Sequence, residues 1–180
     1  MTSGLKIPPR SSIDAVAQLV FAALDQQGLH IAGQDLHRPW GGFFNIDEGQ
    51  VEEFIDHYFA GERGRISDGR LSPRLLLISP HQRLSWQYHQ RRQELWKVVI
   101  GPVGTYLSPT NDQPSQPKVA RVNQVIPVGR TTRHRLEGLN NWAIVAEIWS
   151  HTNPAHPSDE ADFIRLADDF GRNSPTSSKL

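Results

Sequence analysis

The sequence predicts an antiparallel all-β sandwich or barrel, preceded by one or two α-helices. Beyond residue 74 the chain breaks into short β-rich segments: "RLLLIS", "RLSWQYH", "ELWKVVIG", "GTYLSP", "KVARVNQVIPVG", "RHRLEG" and "NWAIVAEIWS". Gly, Pro and Asn separate them, as turns between strands require. Their shortness and even spacing indicate a sandwich or barrel rather than alternating βαβ units. Ahead of them, two stretches carry helical periodicity instead. At 180 residues the chain suits one domain with its own core.

Residues 1 to 10 read as a loose arm. In "SSIDAVAQLVFAALDQQG", Ile13, Val16, Ala17, Val20, Ala23 and Leu24 recur at helical spacing. Ser11 serves as N-cap with Asp14 three residues on, and Gly28 stops the helix. This helix is expected to pack against the main body. "GQVEEFIDHYFAG" (49 to 61) predicts a second helix with Val51, Phe54, Ile55, Tyr58 and Phe59 on one face. "GERGRISDGRLSP" and "SPTNDQPSQP" read as loops. "SDEADFIRLADDFGR" predicts a short helix or turn, and "NSPTSSKL" (173 to 180) a disordered tail. A single domain therefore spans 11 to 172.

Lysine plus arginine equals aspartate plus glutamate at 19 each, which excludes a broad polyanion-binding face and a nucleic-acid partner. A local basic pocket for one phosphate stays compatible with that balance. There are no cysteines, so disulfides, thiolate zinc sites and a Cys nucleophile are excluded. Any metal must sit on His, Gln, Asp or Glu. No apolar stretch approaches bilayer length, and "MTSGLKIPPR" lacks the apolar core of a signal peptide. A cytoplasmic protein without a membrane partner is expected.

One stretch is chemically unusual. "LSWQYHQRRQELW" (84 to 96) begins and ends like a buried strand yet crowds its middle with polar side chains. Residues two apart in a strand face the same way, so Gln87 and His89 share a face. Glu94 follows a short turn and returns toward the same point, and Gly101 lets its strand turn sharply. A fourth donor is available from "IPVGRTTRHRLEG", where Pro127 and Gly129 make a turn before His134. Two imidazoles, a carboxylate and an amide suit a borderline divalent ion such as zinc, manganese, iron or cobalt, with positions left open for water or substrate. Spacing alone also admits a plain reading, with His89 a satisfied core residue.

The pattern Gln87-x-His89-x4-Glu94-x6-Gly101, then Pro127-x-Gly129 and His134, resembles the two motifs of the cupin superfamily. Within it the chain is most similar to type II mannose-6-phosphate isomerases (phosphomannose isomerases). That family carries RPWG, LSLQ-x-H-x-x-R-x-E-x-W, IPxG-x-x-HRLEN, then D-I-x-R and YGR. Here stand "RPWGGF" (38 to 43), "LSWQYHQRRQELW", "IPVGRTTRHRLEG" (126 to 138) and "EADFIRLADDFGR" (160 to 172), in that order. The resemblance implies a cupin double-stranded β-helix (jelly roll), with Gln87, His89, Glu94 and His134 holding a divalent metal ion, zinc first. It implies isomerisation of a phosphosugar between aldose and ketose. It further implies that Arg92 contacts a phosphate or sugar oxygen, that Arg172 folds over the sugar site, and that Glu137 is a candidate for proton transfer. Alternation with His134, however, would point Arg135 and Glu137 outward. Arg38 fits either a site role or a turn cap, Trp40 a packing anchor, and Arg165 a pair with a nearby Asp. His30, His37, His57, His81, His151 and His156 carry no ligand spacing. By analogy the fold implies a homodimer joined at sheet edges.

The chain departs from the family at several points. Gln90 and Arg91 replace two histidines, "RTT" adds two residues before His134, and Gly138 replaces an Asn. The segment 49 to 61 is extra. The nucleotidyltransferase domain often fused ahead of this module has no counterpart in these residues, nor is there a Gly-rich nucleotide loop, so pyrophosphorylase activity is not expected. Substrate choice is expected to differ at "QRR". Two other classes share the fold: a non-catalytic sugar or nucleotide-sugar binding cupin, and a metal-dependent oxygenase, which more usually has a histidine where Gln87 sits.

Overall fold

The computed structural model describes residues 7 to 172. Its strands are β1 (Ile31–Arg38), β2 (Gly41–Ile46), β3 (Leu71–Ile78), β4 (Trp86–Tyr88), β5 (Arg92–Ile100), β6 (Val103–Ser108), β7 (Lys118–Ala120), β8 (Val125–Val128), β9 (Arg133–Gly138), β10 (Ala143–His151) and β11 (Ile164–Ala167). Two helices accompany them, α1 (Ile13–Gln26) and α2 (Val51–Tyr58). One sheet runs β1-β2-β3-β10-β5-β8 and the other β11-β4-β9-β6-β7, with every strand pairing antiparallel. From β3 to β10 the chain crosses between the sheets so that β10 inserts between β3 and β5. Strand β9 likewise lies between β4 and β6. That order is the jelly-roll double-stranded β-helix expected of a cupin.

Strand periodicity divides the apolar residues into two cores. Ile144, Ala146 and Ile148 of β10 join Leu75 and Leu77 of β3 under the helices, against Val16, Val20, Leu24, Phe54, Ile55 and Tyr58. Each such aliphatic side chain removed from water contributes about 1.5–3 kcal/mol, which is why short helices stay on this sheet. The alternate residues Ala143 and Val145 meet Leu76, Ile78, Trp96, Val98 and Leu136 inside the barrel. The inner core fills one end of the barrel, and the other end is lined by polar residues.

Local chemistry explains the helix ends. Ser12, not Ser11, caps α1, its hydroxyl accepting from the Ala15 N–H at 3.2 Å. Gly28 adopts φ +71°, and the Gly28 and Leu29 N–H groups return to the Asp25 and Leu24 carbonyls at 2.9 and 3.0 Å. This double closure needs a residue that tolerates a positive φ. Ile7 is 4% exposed and belongs to the outer core. The rest of the expected arm, residues 1 to 6, and the expected disordered tail, residues 173 to 180, lie outside the described residues.

Several elements differ from expectation. Strands β1 and β2 occupy 31–46, where no strand is predicted; β1 is an edge strand whose polar residues hide the usual alternation. Strand β3 begins at Leu71, within a predicted loop. "KVARVNQVIPVG" forms two strands, and Pro127 sits within β8 rather than in a turn. Strand β8 is the edge of its sheet, where a missing N–H is tolerated. "SDEADFIRLADDFGR" contains one 3-10 turn and then β11, which owes its extended form to pairing with β4.

Gly138 is required by close approach. A Cβ there would lie 2.0 Å from the Ser79 carbonyl oxygen, where the 79–82 segment exchanges hydrogen bonds with the Gly138 backbone. The departure from Asn at this position therefore serves packing. Gly138→Ala should destabilise the fold by about 3 kcal/mol, read as a lowered urea midpoint with an unchanged slope.

Candidate metal centre

The polar end of the barrel is built across both sheets. Gln87 on β4 pairs in register with His134 on β9, while Glu94 projects from β5 opposite them. His89 lies just past β4, where the Thr131 N–H donates to its carbonyl at 2.9 Å. His89, Glu94 and His134 each offer a ligand atom, and these atoms lie within 4.8 Å of one another. His89 Nε2 is 3.4 Å from Glu94 Oε1, and His134 Nε2 is 3.6 Å from Glu94 Oε2.

The surrounding carbonyls define the tautomers. His134 Nδ1 lies 2.8 Å from the Thr132 carbonyl and His89 Nδ1 3.3 Å from the Asp162 carbonyl. A carbonyl only accepts, so both protons sit on Nδ1 and both Nε2 lone pairs face the cluster. Burial pushes His134 down to about 4, helped by the charge of Arg92 and opposed by the Thr132 hydrogen bond. His89 is held well below the ordinary imidazole range by burial, then by Arg92 and His134. Both rings are neutral at pH 7, the form that binds metal.

A cation fits this donor set. His134 Nε2 is buried and has no hydrogen-bonding partner, yet it faces a carboxylate oxygen. Two acceptors turned toward each other in a dry interior repel unless a positive ion lies between them. Gln87 is less committed: its amide nitrogen is 3.5 Å from His89 Nε2, and its oxygen accepts from the Ser85 hydroxyl at 2.5 Å. It joins the donor set only with the amide turned over, an exchange its shape permits.

Arg92, 1% exposed, supports the ligands directly. Its Nε donates to Glu94 Oε1 at 2.7 Å, Nη2 to His89 Nε2 at 2.8 Å and Nη1 to the Ser158 hydroxyl at 2.8 Å. Its guanidinium lies 3.4 Å from the Trp149 ring centroid and 4.6 Å from that of Phe163. Each of its nitrogens is thus bonded within the protein, and a metal ion gains His89 only by displacing one of those bonds.

A cavity opens beside the cluster, with Glu94 and His134 in its wall. Arg38, Arg74, Arg92, Arg165 and Arg172 line it together with Glu94, Glu147 and Glu160. Cations and rings alternate along one wall. Arg74 lies 4.1 Å from the Phe43 ring and 4.3 Å from the Trp149 ring, with Arg92 next. Glu147 accepts from Trp96 Nε1 at 2.9 Å, and its other oxygen is 3.8 Å from Arg74. Burial, then the charge of Glu94, pushes Glu147 up to about 7.

Among the residues expected at the site, His89, Glu94 and His134 come together, with Gln87 beside them. Arg92 and Arg172 line the cavity, Arg172 paired to Asp168 at 2.6 Å. Glu137 is not among the lining residues; it accepts from the Tyr106 hydroxyl at 2.5 Å. Arg38 and Arg165 both line the cavity, and so does Arg135, which against expectation is buried rather than turned outward.

The centre of "QRR" turns away from the cavity. The Gln90 and Arg91 N–H groups donate to the Asp162 carboxylate, and the Arg91 side chain reaches His156, the Pro157 carbonyl and Asp159. His151 is buried, linking Ser72 to the Ser158 N–H. Sequence reasoning missed Arg74, Glu147, Trp149 and Phe163. The available signal was a lone charge inside an otherwise apolar strand, as in "PRLLLI" and "AIVAEIW".

Fold and cluster together define a cupin barrel with a His/Glu/His group able to hold a metal ion. No family model matches the chain. Mannose-1-phosphate guanylyltransferase of Salmonella montevideo is 26% identical over 152 residues, which is 83% of this chain and 26% of that protein. The chain thus spans about a quarter of that relative's length. Similar solved structures include the capsular polysaccharide assembling protein CapF from Staphylococcus aureus, with TM-score 0.47, 16% identity and 75% and 31% of the two chains covered. A protein from Planctomyces limnophilus has TM-score 0.46 and 18% identity over 73% and 87%. Recombinant oxalate oxidase in complex with glycolate has TM-score 0.41 and 17% identity over 47% and 43%. Among the described residues, no helix is long and apolar enough to cross a membrane.

In chelator-treated protein at pH 6, nitrogen NMR should show His134 neutral with its proton on Nδ1. Its titration should appear only near pH 4. Because the unfolded chain takes up that proton near 6.5, the stability His134 contributes is intact above that pH and is lost as pH falls toward 4. A His134 already cationic at pH 6 would contradict the assignment.

Proposed function

We propose that this protein is a metal-dependent sugar-phosphate isomerase acting on mannose 6-phosphate and fructose 6-phosphate, or on a related phosphosugar, as the resemblance to type II mannose-6-phosphate isomerases implies. The observation that carries the reading is the unpartnered His134 lone pair facing Glu94 at the base of an arginine-lined cavity. The mannose phosphate named in its guanylyltransferase relative supports the same substrate class. Guanylyl transfer itself calls for a Gly-rich loop to cradle phosphates, and the 180 residues contain none.

Aldose–ketose exchange moves a proton between adjacent carbons through an enediol. His89, Glu94 and His134, with Gln87 after its amide turns, would hold the metal ion, zinc first among the candidates. When bound, the ion supplies the positive charge that polarises the neighbouring sugar oxygens. Glu147 is the carboxyl suited to proton transfer, since it lies in the cavity outside the metal group and burial, then the charge of Glu94, pushes it up to about 7, whereas Glu137 does not line the cavity. Arg38, Arg165 and Arg172 are the guanidiniums suited to a phosphate, whose oxygens match their fork of donors. Arg92 acts as a positioning residue, holding Glu94 and His89 in place.

Purified protein should carry about one zinc equivalent or take it up, and should convert mannose 6-phosphate to fructose 6-phosphate. His89→Ala and His134→Ala should each lower both metal content and kcat/KM, the latter about a hundredfold or more. Metal without isomerisation of any hexose, pentose or heptose phosphate would overturn the isomerase reading alone. Failure to bind any divalent ion would overturn the metal centre.

A further inference from the structure

Trp149 carries a second unpartnered polar atom in the same cavity. The residue is 9% exposed and lines the space, and its indole Nε1–H is buried without a hydrogen-bonding partner. A buried donor left unpaired costs about 1–3 kcal/mol, so its position is explained best by an acceptor that arrives with a ligand. The ring has little freedom to turn away. Arg92 stacks on it at 3.4 Å and Arg74 at 4.3 Å, and Phe163 stands edge-on with centroids 6.0 Å apart. In the sheet, Trp149 pairs with Glu94, so its backbone is held beside a member of the His/Glu/His group.

We infer that Trp149 is a ligand-binding residue whose indole N–H donates to a sugar oxygen beside the metal ligands, selecting ligands that place an acceptor there. The inference deepens the isomerase reading and rests on it. An indole N–H cannot accept, so this position favours a carbonyl, alkoxide or hydroxyl oxygen over an ammonium or a methylene group. Sites built around a buried donor discriminate sharply against analogues that leave it unpaired.

The test uses zinc-loaded full-length protein with mannose 6-phosphate, fructose 6-phosphate and inorganic phosphate as probes. The chain has five tryptophans, so Trp149→Phe identifies the Trp149 indole N–H resonance by its loss. Each phosphosugar should shift that resonance downfield, and inorganic phosphate alone should not. Trp149→Phe, which keeps a ring between Arg74 and Arg92, should retain its zinc and thermal midpoint while binding the phosphosugars about tenfold more weakly. If the wild-type protein binds them with the resonance unmoved, or Trp149→Phe binds them equally well, the role of Trp149 is overturned and the isomerase reading stands. If phosphate alone moves the resonance as far, the donor's placement beside the metal ligands is wrong. If the wild-type protein binds neither phosphosugar nor any other hexose, pentose or heptose phosphate, both readings fall.

Discussion

The structure depends on one strand being buried on both faces. Strand β10 is buried at all nine of its residues and pairs with β3 on one side and β5 on the other. With a side-chain period of two, its residues must serve two masters. Ile144, Ala146 and Ile148 hold the helices to the outside of the barrel. Ala143 and Val145 fill the inner core, and Glu147 and Trp149 then fall into the cavity beside the metal cluster. A one-residue slip of this strand would put a carboxylate under the helices and an isoleucine beside the His/Glu/His group. Register in β10 therefore secures the fold and the site together.

Keeping that many charges inside a barrel demands compensation at each one. Arg92 is neutralised by Glu94, and the buried Arg74 lies beside Glu147; aromatic rings flank both guanidiniums. A buried ion pair offsets its desolvation only when geometry and extra hydrogen bonds are good, so these pairs are poor devices for stability alone. Their positions make sense as preorganisation. Arg92 uses its donors to aim Glu94 and His89, and the rings limit where each guanidinium can move. The neutral imidazoles follow from the same burial, since a dry interior bearing Arg92 disfavours a proton on either ring.

The sequence made the strongly periodic parts legible. Helix α1, most of the strands from β3 to β10 (β7 and β8 as a single segment) and the trio His89, Glu94 and His134 could be read from spacing and from the order of the blocks. Where reading failed, tertiary pairing decided the outcome. Strand β1 has no clean alternation because its hydrogen bonds come from β2 alone, and β11 is extended because β4 offers it an edge. Glu137 shares a block with His134 but alternates with it, so the strand pleat that brings His134 inward turns Glu137 toward Tyr106. Arg74 and Glu147 sit in runs that read as plain core, and only the chemical oddity of a charge there pointed to a cavity.

The departures from the resembling family acquire a physical meaning once the C-terminal segment is considered. Phe163, Arg165 and Arg172 reach the cavity from a stretch with little apolar core of its own. Something must hold it there. Arg91 reaches His156, Pro157 and Asp159, and the Gln90 and Arg91 backbones grip Asp162, whose own carbonyl orients His89. The added "RTT" residues work from the opposite side, Thr131 holding the His89 backbone and Thr132 the His134 ring. Asp169 completes the attachment through Arg83 and through Arg135 on β9 of the same sheet. The altered "QRR" thus acts on the ligand pocket through the segment it anchors. The same contacts that hold this segment at the cavity also orient both imidazoles, so a change at "QRR" would reach the cavity and the His/Glu/His group together.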